Sequence, residues 1–228
     1  MNDNDIYVVS AVRSAIGTFG GSLKDLPLAD LATQVSRAAI ERSGVAPEQI
    51  GHVVMGNVIP TEARDAYLGR VAAMNAGIPK ETPAFNVNRL CGSGLQAIVS
   101  AAQTLQLGEA EAVLAAGAEA MSRGPYLLTQ ARWGARMGDM KSIDYMLGIL
   151  HDPFEGFHMG ITAENVAARH GISREMQDEV AITSQQRAAR AIAEGRFDSQ
   201  IVAIEVPGRK GPVQFKVDEH VRGEVSSE

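Results

Sequence analysis

The first half of the chain alternates between two hydrophobic periods. Residues 6–11 form a short apolar, β-rich run, followed by Arg13 and a turn-prone Gly-Thr-Phe-Gly-Gly-Ser stretch over residues 17–22. Leu28, Leu31, Ala32, Val35, Ala38 and Ala39 then recur at helical spacing and stop near Gly44. Residues 52–59 read as a second strand closed by Pro60. Residues 68–75 read as an Ala-rich helix, and residues 84–87 as a third strand. Residues 93–107 carry Leu95, Ile98, Val99, Ala102 and Leu105 on one helical face and stop at Gly108, before a fully apolar fourth strand over residues 112–118. Strands and helices in strict alternation predict an α/β fold whose mostly parallel sheet is covered by helices.

After Met121 neither period holds for long. Residues 122–157 mix Gly, Pro, Met, Arg and aromatic side chains, which in a compact protein marks a functional or interface loop. Order returns over residues 162–170, with Glu164 in the first helical turn and Gly171 as C-cap. A longer helix follows, N-capped by Ser173, running to Ala193 and stopped by Gly195. Residues 201–206 and 213–217 predict a β-hairpin with Arg209 and Lys210 at its tip, and residues 223–228 are polar and featureless. The pattern therefore divides the chain into residues 1–120, an α/β region, and residues 121–228, a mixed α+β region.

Composition narrows the chemistry. With 228 residues, 45% of them hydrophobic and 21% charged, the chain can bury a core. The 21 Lys+Arg against 27 Asp+Glu give 21 − 27 = −6, which excludes a general nucleic-acid surface. No apolar run approaches the roughly 20 residues of a membrane span, and the acidic residues 1–5 are the opposite of a secretory leader. A cytosolic globular protein is expected. A single cysteine excludes an intrachain disulfide and any Cys-rich metal site. His151 and His158 are separated by a chain-breaking Asp152-Pro153, so no shared metal geometry is implied, and no metal site is expected. The carboxylates read as solvated helix faces.

That cysteine, Cys91, lies where a strand feeds a tight turn and a helix starts, in Asn86-Val87-Asn88-Arg89-Leu90-Cys91-Gly92-Ser93-Gly94-Leu95-Gln96-Ala97-Ile98. Helix N-terminal amides there would favour a thiolate and could face an oxyanion. Gly92 and Gly94 would permit sharp backbone and close approach of an acyl group. The placement suits a nucleophile. The competing reading is a buried small hydrophobe, the commonest fate of a lone intracellular cysteine.

The residues 88–97 resemble the acyl-enzyme signature of the thiolases, acyl-CoA C-acyltransferases that make or cleave 3-ketoacyl-CoA. Four further segments match: Val12-Arg13-Ser14-Ala15-Ile16-Gly17-Thr18-Phe19-Gly20-Gly21, Gly117-Ala118-Glu119-Ala120-Met121-Ser122, His158-Met159-Gly160-Ile161-Thr162-Ala163-Glu164-Asn165, and Gly208-Arg209-Lys210-Gly211. Ala118 and Ala120 depart from the family pattern. The resemblance implies a thiolase-like fold, with residues 1–120 as the N-terminal αβ half and residues 121–228 as most of an inserted α+β loop domain. It also implies that Cys91 takes an acyl group from acetyl-CoA or another acyl-CoA, and that a second acyl-CoA attacks it in a reversible Claisen condensation. Coenzyme A thioesters are substrates, and no permanently bound cofactor is implied.

Arg132, Arg136, Lys141, Arg209, Lys210 and Arg222 supply the cations that a CoA phosphate wants. Through the resemblance, Leu150, His158 and Met159 fall on positions flanking the pantetheine and thioester, and Arg222 falls near adenine. Residues 127–143 occupy the stretch where many thiolases carry a tetramerisation loop, and their Met and Trp content fits an interface or equally an active-site cover; the resemblance implies a homodimer or homotetramer and a role in fatty acid metabolism. The Gly-His-Pro, Cys-x-Gly-Gly-Gly and Asn-Glu-Ala-Phe segments of the family's second homologous half do not occur here. Two expectations follow: an acyltransferase chain that is incomplete and inactive by itself without that C-terminal half, or a non-catalytic form that only binds CoA or associates with full-length subunits.

Overall fold

The computed structural model describes residues 5–225. Along the chain the elements are β1 (Arg13–Ser14), α1 (Leu28–Ser43), β2 (His52–Gly56), α2 (Leu68–Asn75), β3 (Ala84–Val87), α3 (Ser93–Gln106), β4 (Val113–Gly117), β5 (Tyr126–Leu127), β6 (Ile143–Asp144), α4 (Tyr145–Ile149), α5 (Met159–His170), α6 (Arg174–Ala193), β7 (Ile201–Val202), β8 (Ile204–Val206) and β9 (Val213–Phe215). They form two compact units. The first ends at Arg123 and takes back Asp198–Glu219; the second holds Gly124–Phe197 and the residues from His220 onward. The hairpin strands thus belong with the α/β region rather than with residues 124–197.

The first unit is built on a parallel sheet of order β3-β2-β4, with Val54 opposite Phe85 on one side and Ala115 on the other. The central strand has to be apolar on both faces because helices cover both. Val53, Val54 and Met55 accordingly have no exposure. Met55 packs with Leu28, Ala29 and Ala32 of α1 and Leu68 and Ala72 of α2, whereas Val54 packs with Ala97 and Ala101 of α3. Burying a side chain the size of Leu28, Met55 or Leu68 contributes about 1.5–3 kcal/mol each. Helix α1 ends where Gly44 takes a left-handed φ of 71°.

Several expectations need correction. Residues 6–11 form no strand; β1 starts only at Arg13 and pairs in parallel with β7. Ile6, Tyr7, Val8 and Val9 are exposed, because β-propensity makes no ladder without a neighbouring strand. The large apolar face of α3 is not the one that packs on the sheet. Ser93, Ala97, Ala101 and Thr104 are buried, while Leu95 and Ile98 are 69% and 53% exposed. Small side chains bring the helix close to the sheet, and the large ones point away. The run over residues 201–206 splits, its second part, β8, pairing antiparallel with β9 with Ile204 opposite Phe215.

In the second unit residues 124–157 contain one short antiparallel pair, β5 with β6, and the single-turn α4. Helix α5 begins at Met159, earlier than the periodicity shows, so Glu164 lies beyond its first turn. Ser173 caps α6 as expected, its hydroxyl accepting the amide of Met176. Among the described residues no helix is long and apolar enough to cross a membrane. The polar tail is described only as far as Val225, and the acidic start only from Asp5.

Candidate active site

Cys91 is exposed and its thiol is free, so the buried-hydrophobe reading does not hold. The turn that presents it departs from expectation in one respect. Gly92 and Gly94 take ordinary negative φ, and it is Leu90 that adopts +48°, the only described non-glycine residue in the left-handed region. A leucine there is strained by about 1–2 kcal/mol, so its neighbours must hold it. They do so from both sides. The Leu90 amide donates to Asn88 Oδ1 at 2.9 Å, and the Leu90 carbonyl accepts the amide and the hydroxyl of Ser93 at 2.9 and 2.7 Å. Ser93 Oγ also accepts the Arg89 amide at 2.9 Å, and Gly92 donates to the Arg89 carbonyl.

Helix α3 starts at once behind this turn. Its Ser93 amide is taken by Leu90 and its Gln96 amide by the Gly92 carbonyl, leaving the Gly94 and Leu95 amides without a backbone acceptor among the described residues. Glycine is needed under the turn rather than in it. A Cβ on Gly56 would lie 2.8 Å from the Ser93 carbonyl carbon and oxygen, and one on Gly117 would lie 3.5 Å from Gly94 Cα. The glycine at the end of β2 lets the start of α3 sit on the carboxyl end of the parallel sheet, whereas a methyl on Gly117 would make only ordinary contact. A Cβ on Gly94 would meet nothing within 4 Å, so the space beyond the turn is open. No hydrogen bond to the Cys91 sulfur is made among the described residues.

Glu119, expected to be a solvated charge, is an exposed residue just past β4 whose carboxylate is nevertheless engaged by loop donors. Its carboxylate accepts the amides of Val58 and Ile59 at 2.9 Å each and Asn57 Nδ2 at 3.1 Å. Burial pushes its pKa up, against the lowering effect of those two amides. Asp218 and Glu219 also escaped the sequence reading. Arg13 grips Asp218 through both terminal nitrogens at 2.7 and 2.8 Å, lowering the carboxyl pKa. Glu219 accepts Ser22 Oγ at 2.6 Å and the Thr18 amide at 2.9 Å, and its pKa falls to about 2. The signal available in the sequence was the run of turn residues at 17–22, whose unpaired amides need acceptors.

The residues assigned to CoA lie in the second unit. The Leu150 carbonyl accepts the Met159 amide at 2.8 Å, which closes residues 151–158 into a loop and brings Leu150, His158 and Met159 together. His158 caps α5, its Nδ1 accepting the Gly160 amide at 3.0 Å. That bond requires an unprotonated Nδ1, so the neutral ring carries its proton on Nε2. Loop closure also sets the rings of His151 and His158 edge to face at 5.4 Å, which their sequence separation did not suggest. No group of three His, Cys, Asp or Glu able to hold a metal occurs among the described residues. Arg222 is exposed, and its amide donates to Gln185 Oε1 of α6 at 2.9 Å. No hydrogen bond or ion pair joins it to the Leu150–Met159 loop among the described residues.

Residues 6–228 match the family of the thiolase N-terminal domain. The chain is 60% identical over 218 residues to the β-ketothiolase BktB of Cupriavidus necator, covering 96% of this chain and 55% of that protein. It is 49% identical to an acetyl-CoA acetyltransferase of the same organism, covering 96% and 56%. Among solved structures it resembles the acetyl-CoA acetyltransferase of Bacillus anthracis, with a TM-score of 0.92, 43% identity and coverage of 96% and 55%. It also resembles human mitochondrial 3-ketoacyl-CoA thiolase in complex with CoA, with a TM-score of 0.91, 42% identity and the same coverage. The chain spans slightly more than half the length of these relatives. The matched family, the identities and the shared fold together show that this chain belongs to the thiolase family.

Proposed function

We propose that this chain carries the acyl-accepting part of a thiolase-type acyl-CoA C-acyltransferase, with Cys91 as nucleophile. The observation that carries the reading is the Cys91 turn, an exposed thiol held by a left-handed Leu90 at the start of α3. The Cys91 sulfur attacks the thioester carbonyl of acetyl-CoA or another acyl-CoA, the carbon–sulfur bond to CoA breaks, and the thiol proton leaves with CoA. The amides at the start of α3 offer donors for the oxyanion formed on the way. A base removes the α-proton of a second acyl-CoA, the resulting carbanion attacks the S-acyl cysteine, the carbon–carbon bond forms as the carbon–sulfur bond to Cys91 breaks, and the freed thiolate regains a proton from that base. The reverse sequence is thiolysis.

Leu150, His158 and Met159 fit the pantetheine and thioester, because one loop gathers two apolar side chains beside an imidazole whose Nε2–H can donate. Arg222 offers an exposed guanidinium for the adenine or a phosphate. CoA thioesters are substrates here and no resident cofactor is invoked. Exposed Trp133, Met137 and Leu128 favour burial of the loop in a homodimer or homotetramer. We place the protein in the cytosol, in fatty acid metabolism.

The chemistry also needs a base for the thiol and another for the α-proton. Cys91 has no such partner among the described residues, so this chain alone is proposed to be inactive in turnover. The alternative, a form that only binds CoA or joins full-length subunits, differs in leaving Cys91 unacylated. A steady-state assay with acetyl-CoA separates these readings. The expected result is release of about one CoA per chain without continuing condensation. Sustained turnover abolished by Cys91→Ser contradicts the incomplete-site reading, and no CoA release at all favours the binding-only form.

A further inference from the structure

We propose that Glu119 is a positioning residue for Cys91, acting through Val58 and Asn88. The proposal deepens the functional reading and rests on Cys91 being the acyl acceptor. Glu119 sits just past β4, whereas Cys91 follows β3, and β2 lies between them in the sheet. The link therefore runs through the loop that leaves β2. The Glu119 carboxylate fixes that loop at three donors, the Asn57 side chain and the amides of Val58 and Ile59. Asn57 Nδ2 also donates to the Ala118 carbonyl at 3.1 Å, and the Asn57 amide to the Val87 carbonyl at 3.1 Å, so the loop is tied to both flanking strands.

The same loop holds Asn88. The Val58 carbonyl accepts from Asn88 Nδ2 at 3.4 Å, and the opposite end of that amide, Oδ1, accepts from Leu90. Asn88 thus has one hand on the Glu119-bound loop and the other on the strained residue ahead of the nucleophile. Among the described residues no basic side chain pairs with Glu119. The donors that hold the charge are two backbone amides and one side-chain amide, each bond strengthened by the ionised acceptor. A glutamine could not replace it, because one of its two terminal atoms is a donor and would face an amide N–H.

The test uses the full chain and three variants: Glu119→Gln, Asn88→Ala and, as a control for general destabilisation, Ile40→Ala in the core. Three quantities are read: exchange of the Leu90 amide by NMR, the rate of Cys91 acetylation by acetyl-CoA, and the rate of its alkylation by iodoacetamide. Acetylation needs the turn aligned with the oxyanion donors, whereas alkylation of an exposed thiol does not. Glu119→Gln is expected to speed Leu90 exchange and to slow acetylation about tenfold, while alkylation stays within about twofold. Because Glu119 acts through Asn88, combining the two variants adds less than about a factor of two to Asn88→Ala alone. Unchanged Leu90 exchange, or both rates falling together as in Ile40→Ala, overturns the proposal. If Leu90 exchange responds but the unaltered chain is never acetylated, the positioning stands and the acyl-acceptor reading fails.

Discussion

The hydroxyl of Ser93 donates to the carbonyl of Leu90 at 2.7 Å, binding the first residue of α3 to the residue just before the cysteine. The same oxygen accepts the Arg89 amide, so one buried side chain closes the turn on both sides of its peptide. Replacing it leaves a backbone amide without its acceptor. Ser93→Ala is expected to lose about 1–3 kcal/mol of stability, read as a lower midpoint in urea. Cys91 acetylation should fall with it, whereas Ser100→Ala, farther along α3, should leave acetylation unchanged.

Gly56 and Gly94 make opposite predictions although both lie beside the turn. A methyl group on Gly56 would strike the Ser93 backbone, which cannot rotate away. Gly56→Ala should cost about 1–3 kcal/mol through overpacking. Gly94→Ala places its methyl in open space within a helix, where alanine is favoured by about 0.5–1 kcal/mol. Calorimetry should therefore show Tm falling for the first and level or rising for the second.

Leu90 is the strained position. Glycine adopts its φ of +48° without penalty, whereas a β-branched residue is worse than leucine. Leu90→Val is expected to lose about 1–2 kcal/mol and Leu90→Gly to lose none, measured by denaturant unfolding. Equal losses for both would show that Leu90 matters for its side chain and not for its backbone.

The two acidic clamps have opposite pH signatures. Glu219 has a folded pKa of about 2, below the ordinary value of 4.5, because Ser22 and Thr18 bind its charged form. Its contribution is complete above the unfolded pKa and is lost as pH falls from about 4.5 towards 2. Glu119 is raised by burial, so it costs stability as pH rises through its folded pKa. In Tm measured against pH, Glu219→Gln should flatten the acid limb.

Local signals were the most legible part of the sequence. Helical spacing and Gly44 gave α1 its limits, Ser173 and Gly171 marked the junction of α5 and α6, and the apolar runs placed β2, β3 and β4. The turn at Cys91 was legible because a strand, a cysteine and two small residues occur within a few positions. What failed depends on long-range partners. Residues 6–11 look like a strand but have none alongside. The apolar stripe of α3 looks like a packing face, yet the sheet takes its small side chains. Glu119, Asp218 and Glu219 resemble solvated charges until the fold sets them against loop amides from distant parts of the chain.

The central claim is that Cys91 accepts an acyl group from a CoA thioester. Intact-mass analysis of the chain incubated with acetyl-CoA, followed by peptide mapping, tests it most directly. The expected product is a single acetyl group, carried by Cys91 as a hydroxylamine-labile thioester and absent from Cys91→Ala. No adduct, or acetylation only at lysines that persists in Cys91→Ala, would contradict it.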